Sequence, residues 1–274
     1  ICLTPKPGLV DLNNSGSHKD MDAGLLMQSA EILKPHFRKF FLLGYESFDA
    51  SGFRDRIVPA IQDKPVARAE AAPTCLDATE FKDGFSASSI SKLRAAGIEA
   101  EKAMLDETGG VNTHRGAIYA FGIFLFALGA YSRKFSLLNL SECRAGIEEE
   151  RIREDGIKRD AVGGEIGPGL DGILAYCARV AELLNESGKS NSSASSDART
   201  EAKSHGEQVC EKYGAGGARK EAAAGFPSAF AACNILCESG GDAYKALIYL
   251  ISTMEDTNIL FRGGKEASAF LRGR

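Results

Sequence analysis

The side chains able to do chemistry gather in four polar, glycine-containing stretches, which together hold three of the four histidines. The first, TPKPGLVDLNNSGSHKDMD (Thr4 to Asp22), contains prolines and glycines that preclude a regular helix, and it places Lys6, Asp11, His18, Lys19, Asp20 and Asp22 in one loop. Its lysines can hold phosphate. Its carboxylates can hold Mg²⁺, which favours a few hard oxygen ligands shared with a substrate phosphate. The same loop can also be a solvated connection in which Asp20 or Asp22 caps the helix that follows.

The second stretch, TGGVNTHRGAIYAFG, sets Asn112, Thr113, His114 and Arg115 directly before the most apolar part of the chain. Amides at a buried helix N-terminus favour an anion and Arg115 can complete a phosphate site; the alternative is a simple cap by Asn112 or Thr113. The third, SHGEQVCEKYGAGGARKEAAAGFP (Ser204 to Pro227), brings His205, Tyr213, Arg219 and Glu221 near a run of glycines. It matches neither GxxxxGK[ST] nor GxGxxG, so neither standard nucleotide loop applies, and ordinary inter-helix turns are its other reading. The fourth, MEDTNILFRGG (Met254 to Gly264), supplies Asp256, Asn258 and Arg262, or else a helix C-cap with Arg262 compensating the dipole.

The elements that position these stretches are helical. Valine occurs only seven times and no segment sustains apolar/polar alternation, whereas apolar residues recur at three- and four-residue spacing. The fold class is all-α, a single multi-helix globular domain over 1–274, its functional loops converging on one cleft because one reaction centre must use them together. Helices are expected over Asp22 to Tyr45, kinked or broken at Pro35, then Ser86 to Leu105, His114 to Arg133, Ser141 to Ile157, Leu170 to Leu184, Thr200 to Tyr213, Pro227 to Glu238 and Asp242 to Met254. SGKSNSSASS (Ser187 to Ser196) is too polar to offset its ordering entropy and reads as a mobile surface loop.

A net charge of -4 and a pI near 5.7 argue against nucleic acid or an anionic membrane as partner, so any phosphate site must be local. The run Ala117 to Tyr131 falls short of the ~20 residues that span a bilayer and reads as a buried helix. Seven scattered cysteines fit a reducing, cytoplasmic compartment, and Cys233 and Cys237, lacking further ligands nearby, read as core thiols. The sequence opens at Ile1 without an initiator Met, so residues preceding it are expected.

Taken in order, TPKPGLVD with NSGSHKDMD, then GGVNTHRGAI, then the elements between His205 and Pro227, and finally EDTN with RGG, the chain resembles the triphosphoribosyl-dephospho-CoA synthase family that serves citrate lyase and malonate decarboxylase. The resemblance runs from Thr4 to about Gly264; a helical segment that members carry before TPKPG has no counterpart here, and the Ser-rich stretch after Ser187 matches no family element. It implies a helical enzyme that takes ATP, with Mg²⁺, and 3'-dephospho-CoA, and whose product serves an acyl carrier protein pathway.

Such a transfer breaks an N-glycosidic bond, so it needs a base for the incoming hydroxyl, a proton for departing adenine and a clamp for the triphosphate. His18, His114, His205 and Glu221 form the acid/base pool, without a division of roles between them. Lys6, Lys19, Arg115, Arg219 and Arg262 are the phosphate or CoA contacts, and Asp20, Asp22 and Asp256 the Mg²⁺ ligands. Asp11, Asn112, Thr113 and Asn258 orient these groups or the substrates, or act as hydrogen-bond partners within tight loops. Two other classes compete: a metal-dependent ADP-ribose-type glycohydrolase, distinguished by adenine release that ignores the acceptor, and a non-catalytic nucleotide-binding helical module.

Overall fold

The computed structural model describes residues 3–6, 9–16, 18–48, 85–146, 169–192, 205–214, 216–254, 260, 264–266 and 268–270. The principal helices are α1 (Ala23–Ser47), α2 (Ala87–Glu107), α3 (Arg115–Gly146), α4 (Gly169–Ser192), α5 (His205–Tyr213), α6 (Gly217–Ala223), α7 (Pro227–Glu238) and α8 (Ala243–Thr253). No strand occurs among the described residues, in keeping with the absence of alternation.

Among the described helices α3 is the central one, packing against α1, α2, α4 and α6. Its Ile118, Ile123, Phe126, Ala127 and Ala130 join Leu33 and Phe40 of α1, Leu93 and Met104 of α2, and Val180 of α4 in one buried core. By length and composition Arg115–Lys134 is able to cross a membrane, further than the apolar run alone implied, but here it is the hub of a helical bundle. Phe37 lies against Phe121 and Tyr45 beneath Arg133, so α1 and α3 run parallel. α2 runs the other way, since Phe85 before it meets Phe126 while Glu101 near its end meets Arg115.

Two glycines set how closely α1 and α3 approach. A Cβ on Gly44 would sit 1.9 Å from the Phe126 carbonyl oxygen, and one on Gly129 2.1 Å from that of Phe41. Each helix thus presents a bare backbone position to the backbone of the other, an approach that any larger residue would prevent.

Several expectations need correction. α3 continues to Gly146 and absorbs the start of the separate helix expected from Ser141, because no Gly or Pro lies between Lys134 and Ser141 to stop it. The remainder of that expected helix, 147–157, lies outside the described residues, as do 200–204 of the helix expected from Thr200. α4 runs to Ser192, so 187–192 of the expected loop are its last turns; the Ser187 hydroxyl donates to the Leu184 carbonyl at 3.1 Å and lies 2.7 Å from the Arg94 guanidinium, which ties the segment to α2. Residues 193–196 of that loop are outside the described set. α1 passes through Pro35 as one element. α6 was not expected at all, its glycine-rich approach reading as turns. Cys233 and Cys237 are exposed, because α7 turns Ala232 inward instead; among the described residues the buried thiol is Cys177, whose burial pushes its pKa up to about 12.

Candidate active site

The first loop is built around Asp11. Its carboxylate is buried and accepts from the amides of Lys6 at 2.8 Å, Asn13 at 2.8 Å and Asn14 at 3.0 Å. The Lys6 amide, helped by the other two, holds this carboxyl below the usual aspartate range. Asp11 is therefore a loop organiser. Beyond it Gly16 adopts φ 55, a left-handed turn that carries the chain back to His18. The His18 ring lies 3.8 Å from the Asp20 carboxylate. Asp22 is the N-cap of α1, accepting from the Leu25 amide at 2.8 Å. An open groove of about 530 Å³, lined by Ser15, Lys19, Asp20, Asp22, Leu25 and Gln28, runs over these residues and the first turns of α1.

The same turns of α1 carry Ser29, seven residues after Asp22 and about 10 Å along the axis. Ser29 is fully buried, and its hydroxyl lies 2.6 Å from Thr113 Oγ1 and 2.9 Å from His114 Nδ1. These bonds join α1, the helix that Asp22 caps, to the second stretch at the start of α3. Gly109 and Gly110, at φ 63 and 90, reverse the chain after α2. The reversal is tight enough for the His114 amide to donate to Met104 Sδ at 3.1 Å. Burial lowers the His114 pKa, so its imidazole is neutral at neutral pH. Asn112 caps α3 by accepting from the Arg115 amide at 3.2 Å, and Arg115 itself pairs with Glu101 of α2.

From the third stretch, Glu221 accepts from the Ser228 amide at 2.5 Å and so anchors the start of α7 across the left-handed Phe226, φ 59. Arg219 is exposed on α6, which packs against α3. Its guanidinium, with that of Arg94 on α2, acts electrostatically on Tyr119 of α3, whose hydroxyl is buried without a hydrogen-bond partner. Burial is the larger influence on that phenol and raises its pKa.

The structure therefore bonds the second stretch to α1, the helix that the first stretch caps, and places Arg219 on α6, which packs against α3. It commits Asp11, Asp22, Asn112 and Glu221 to local backbone bonds as well. Asp256, Asn258 and Arg262 and the His205 side chain lie outside the described residues. No three His, Cys, Asp or Glu side chains converge as a metal site among the described residues. Ser29, Tyr119 and Arg94 were not singled out from the sequence, since a helical serine, tyrosine or arginine carries no local mark of a partner on another helix.

A family model described as ATP:dephospho-CoA triphosphoribosyl transferase matches residues 1–274. Over 273 residues the chain is 31% identical to the 2-(5''-triphosphoribosyl)-3'-dephosphocoenzyme-A synthase of Haemophilus ducreyi, covering 98% of this chain and 67% of that one. It is 30% identical to the protein of the same name from Klebsiella pneumoniae over 281 residues, 99% of this chain and 70% of the relative. The like-named protein of Pectobacterium atrosepticum is 29% identical over 280 residues, 99% and 69% respectively. No solved structure matches the chain.

Proposed function

Because the chain belongs to the ATP:dephospho-CoA triphosphoribosyl transferase family, we propose that His114 is the base of the transfer that this family performs. The enzyme moves the triphosphoribosyl unit of ATP onto 3'-dephospho-CoA and releases adenine. The bond from the ribose C1 to adenine breaks, its electron pair leaving with the base, and a bond from C1 to the acceptor's 2'-oxygen forms. The hydroxyl proton goes to His114, and adenine takes up a proton as it departs.

The observation that supports this reading is the state of His114: half-buried, neutral at neutral pH, and held at Nδ1 by Ser29, so that Nε2 accepts a proton when Nδ1 carries the ring hydrogen. His18 beside Asp20, at the groove over the same helix turns, is the candidate for proton delivery to adenine. Lys6, Lys19 and Arg219 are the phosphate contacts. Arg115 joins them by exchanging Glu101 for phosphate, and Arg262 and Asn258 come from the last stretch.

Asp20 and Asp22, exposed carboxylates lining one groove with Lys19, fit a magnesium ion that takes most of its ligands from phosphate and water, and Asp256 is kept as a candidate ligand on its sequence alone. Bound there, Mg²⁺ would neutralise triphosphate charge. The product enters the making of a prosthetic group for an acyl carrier protein, and the cytoplasm is the compartment for this ATP-dependent chemistry.

Incubation with ATP, Mg²⁺ and dephospho-CoA, followed by mass analysis, tests the activity. The expected outcome is adenine together with the triphosphoribosylated acceptor, both lost or reduced ~10²–10⁴-fold in His114→Gln, the usual contribution of a positioned base. Adenine release equally fast without acceptor would instead establish hydrolysis, and full activity in His114→Gln would remove the base assignment.

A further inference from the structure

We infer that Ser29 and Thr113 are positioning residues which together set the tautomer of His114. The inference rests on the reading of His114 as base and concerns the atoms behind its ring. For Nε2 to accept a proton, Nδ1 must carry the hydrogen and donate it. Ser29 Oγ is the acceptor 2.9 Å away, and Ser29 in turn must pass its own hydrogen on. Thr113 Oγ1, 2.6 Å from Ser29 Oγ, is placed to take it. The chain of donors is then His114 to Ser29 to Thr113, with the Ser29 hydroxyl both receiving and giving.

Burial makes this arrangement selective. Ser29 is 0% exposed, so water does not substitute for either of its partners. A hydroxyl removed there leaves buried polar atoms unpaired, which costs more than an exposed bond of the same geometry. The opposite direction of donation, from Thr113 through Ser29 to Nδ1, would place the ring hydrogen on Nε2 and make His114 a donor to substrate. The direction in the resting enzyme therefore decides what His114 does. Ser29 stands on α1 and Thr113 immediately before α3, so the imidazole is set by the packing of two helices and not by its own loop alone.

The test uses the full chain labelled with ¹⁵N-histidine; only four histidines contribute signals, and His114→Gln assigns the one that matters. In the unsubstituted protein His114 should show a protonated Nδ1 and an unprotonated Nε2. In Ser29→Ala, a change that removes the hydroxyl with little change of volume, the two tautomers should mix. The turnover rate should fall about 10-fold or more, part of the ~10²–10⁴ that a base contributes, while KM changes less than about twofold, as for an interaction made in the transition state. Thr113→Val should reproduce the mixed tautomer, whereas Thr113→Ser, which keeps the hydroxyl, should retain the single one. This second pair decides the matter if Ser29→Ala fails to fold. An unchanged His114 spectrum in Ser29→Ala or Thr113→Val overturns the inference whatever happens to the rate. A mixed tautomer with an undiminished rate supports the positioning role and overturns the base assignment instead.

Discussion

Replacing Gly129 by Ala should separate α1 from α3 and destabilise the protein. The added Cβ would lie 2.1 Å from the Phe41 carbonyl oxygen, where ordinary contact starts near 3.4 Å, and the obstacle is helix backbone, which cannot rotate away as a side chain does. The helices must part by about 1 Å, enough to forfeit a quarter to a half of each dispersion contact it opens. Overpacking of this kind costs ~1–3 kcal/mol. Alanine also recovers ~1 kcal/mol of helix propensity, which masks part of the loss. Gly97 on α2 removes that ambiguity, because a Cβ there meets nothing within 4 Å. Gly97→Ala gains the same propensity without the clash, so the difference in stability between the two variants is the overpacking cost itself. Urea unfolding should place Gly129→Ala below Gly97→Ala by ~1–3 kcal/mol at equal m. Equal midpoints for the two would refute the close approach of α1 and α3.

Arg219→Ala should lower the efficiency with ATP about 10- to 100-fold, the loss of a hydrogen bond to a charged group, whereas Lys102→Ala, on the exposed side of α2, should not; steady-state kinetics of folded variants decides it. Asp22→Ala should cost ~1 kcal/mol in urea unfolding through loss of the α1 cap, whatever it does to Mg²⁺ dependence. Stability should fall as pH is lowered from the ordinary histidine value of 6.5, because the unfolded chain binds a proton at His114 before the folded one does. His114→Gln should flatten that slope, as followed by unfolding at a series of pH values. The depressed carboxyl of Asp11 acts at lower pH: it stabilises the folded state above the ordinary aspartate value of 3.8, and that contribution is lost as pH falls through the depressed value.

The helices were legible wherever a cap and a stripe coincided. Asp242 and the apolar spacing after it mark α8 to within a residue at each end, and Ser86 does the same for the start of α2. The expected end of α3 at Arg133 falls where the apolar run gives way to charge, although a change of polarity is not a stop signal and no Gly or Pro follows before Ser141. What the sequence hides is partnership. α6 is seven residues long and opens at Gly217, so its local propensity is poor and its place is set by contacts to α3 and α4. His114 could be singled out as a candidate from its stretch alone. Ser29, by contrast, sits in an ordinary helical repeat, and its partners are 84 and 85 residues away. Burial of Asp11 was equally unreadable, because a loop aspartate collecting three amides looks in sequence like one that is solvated.

The Tyr244 hydroxyl donates to the Thr4 carbonyl, so α8 holds a loop from which it is separated by 240 residues. During synthesis the loop leaves the ribosome long before its tether exists. At ~5–20 residues per second the wait is roughly 10–50 s. Through that interval Lys6, Asp11 and His18 belong to a segment without its distal support, while α1, α2 and α3 already have one another to pack against. A nascent chain arrested before α8 would thus carry a formed core and an unanchored Thr4–Asp22 loop, so the final shape of that loop waits on a helix made long after it.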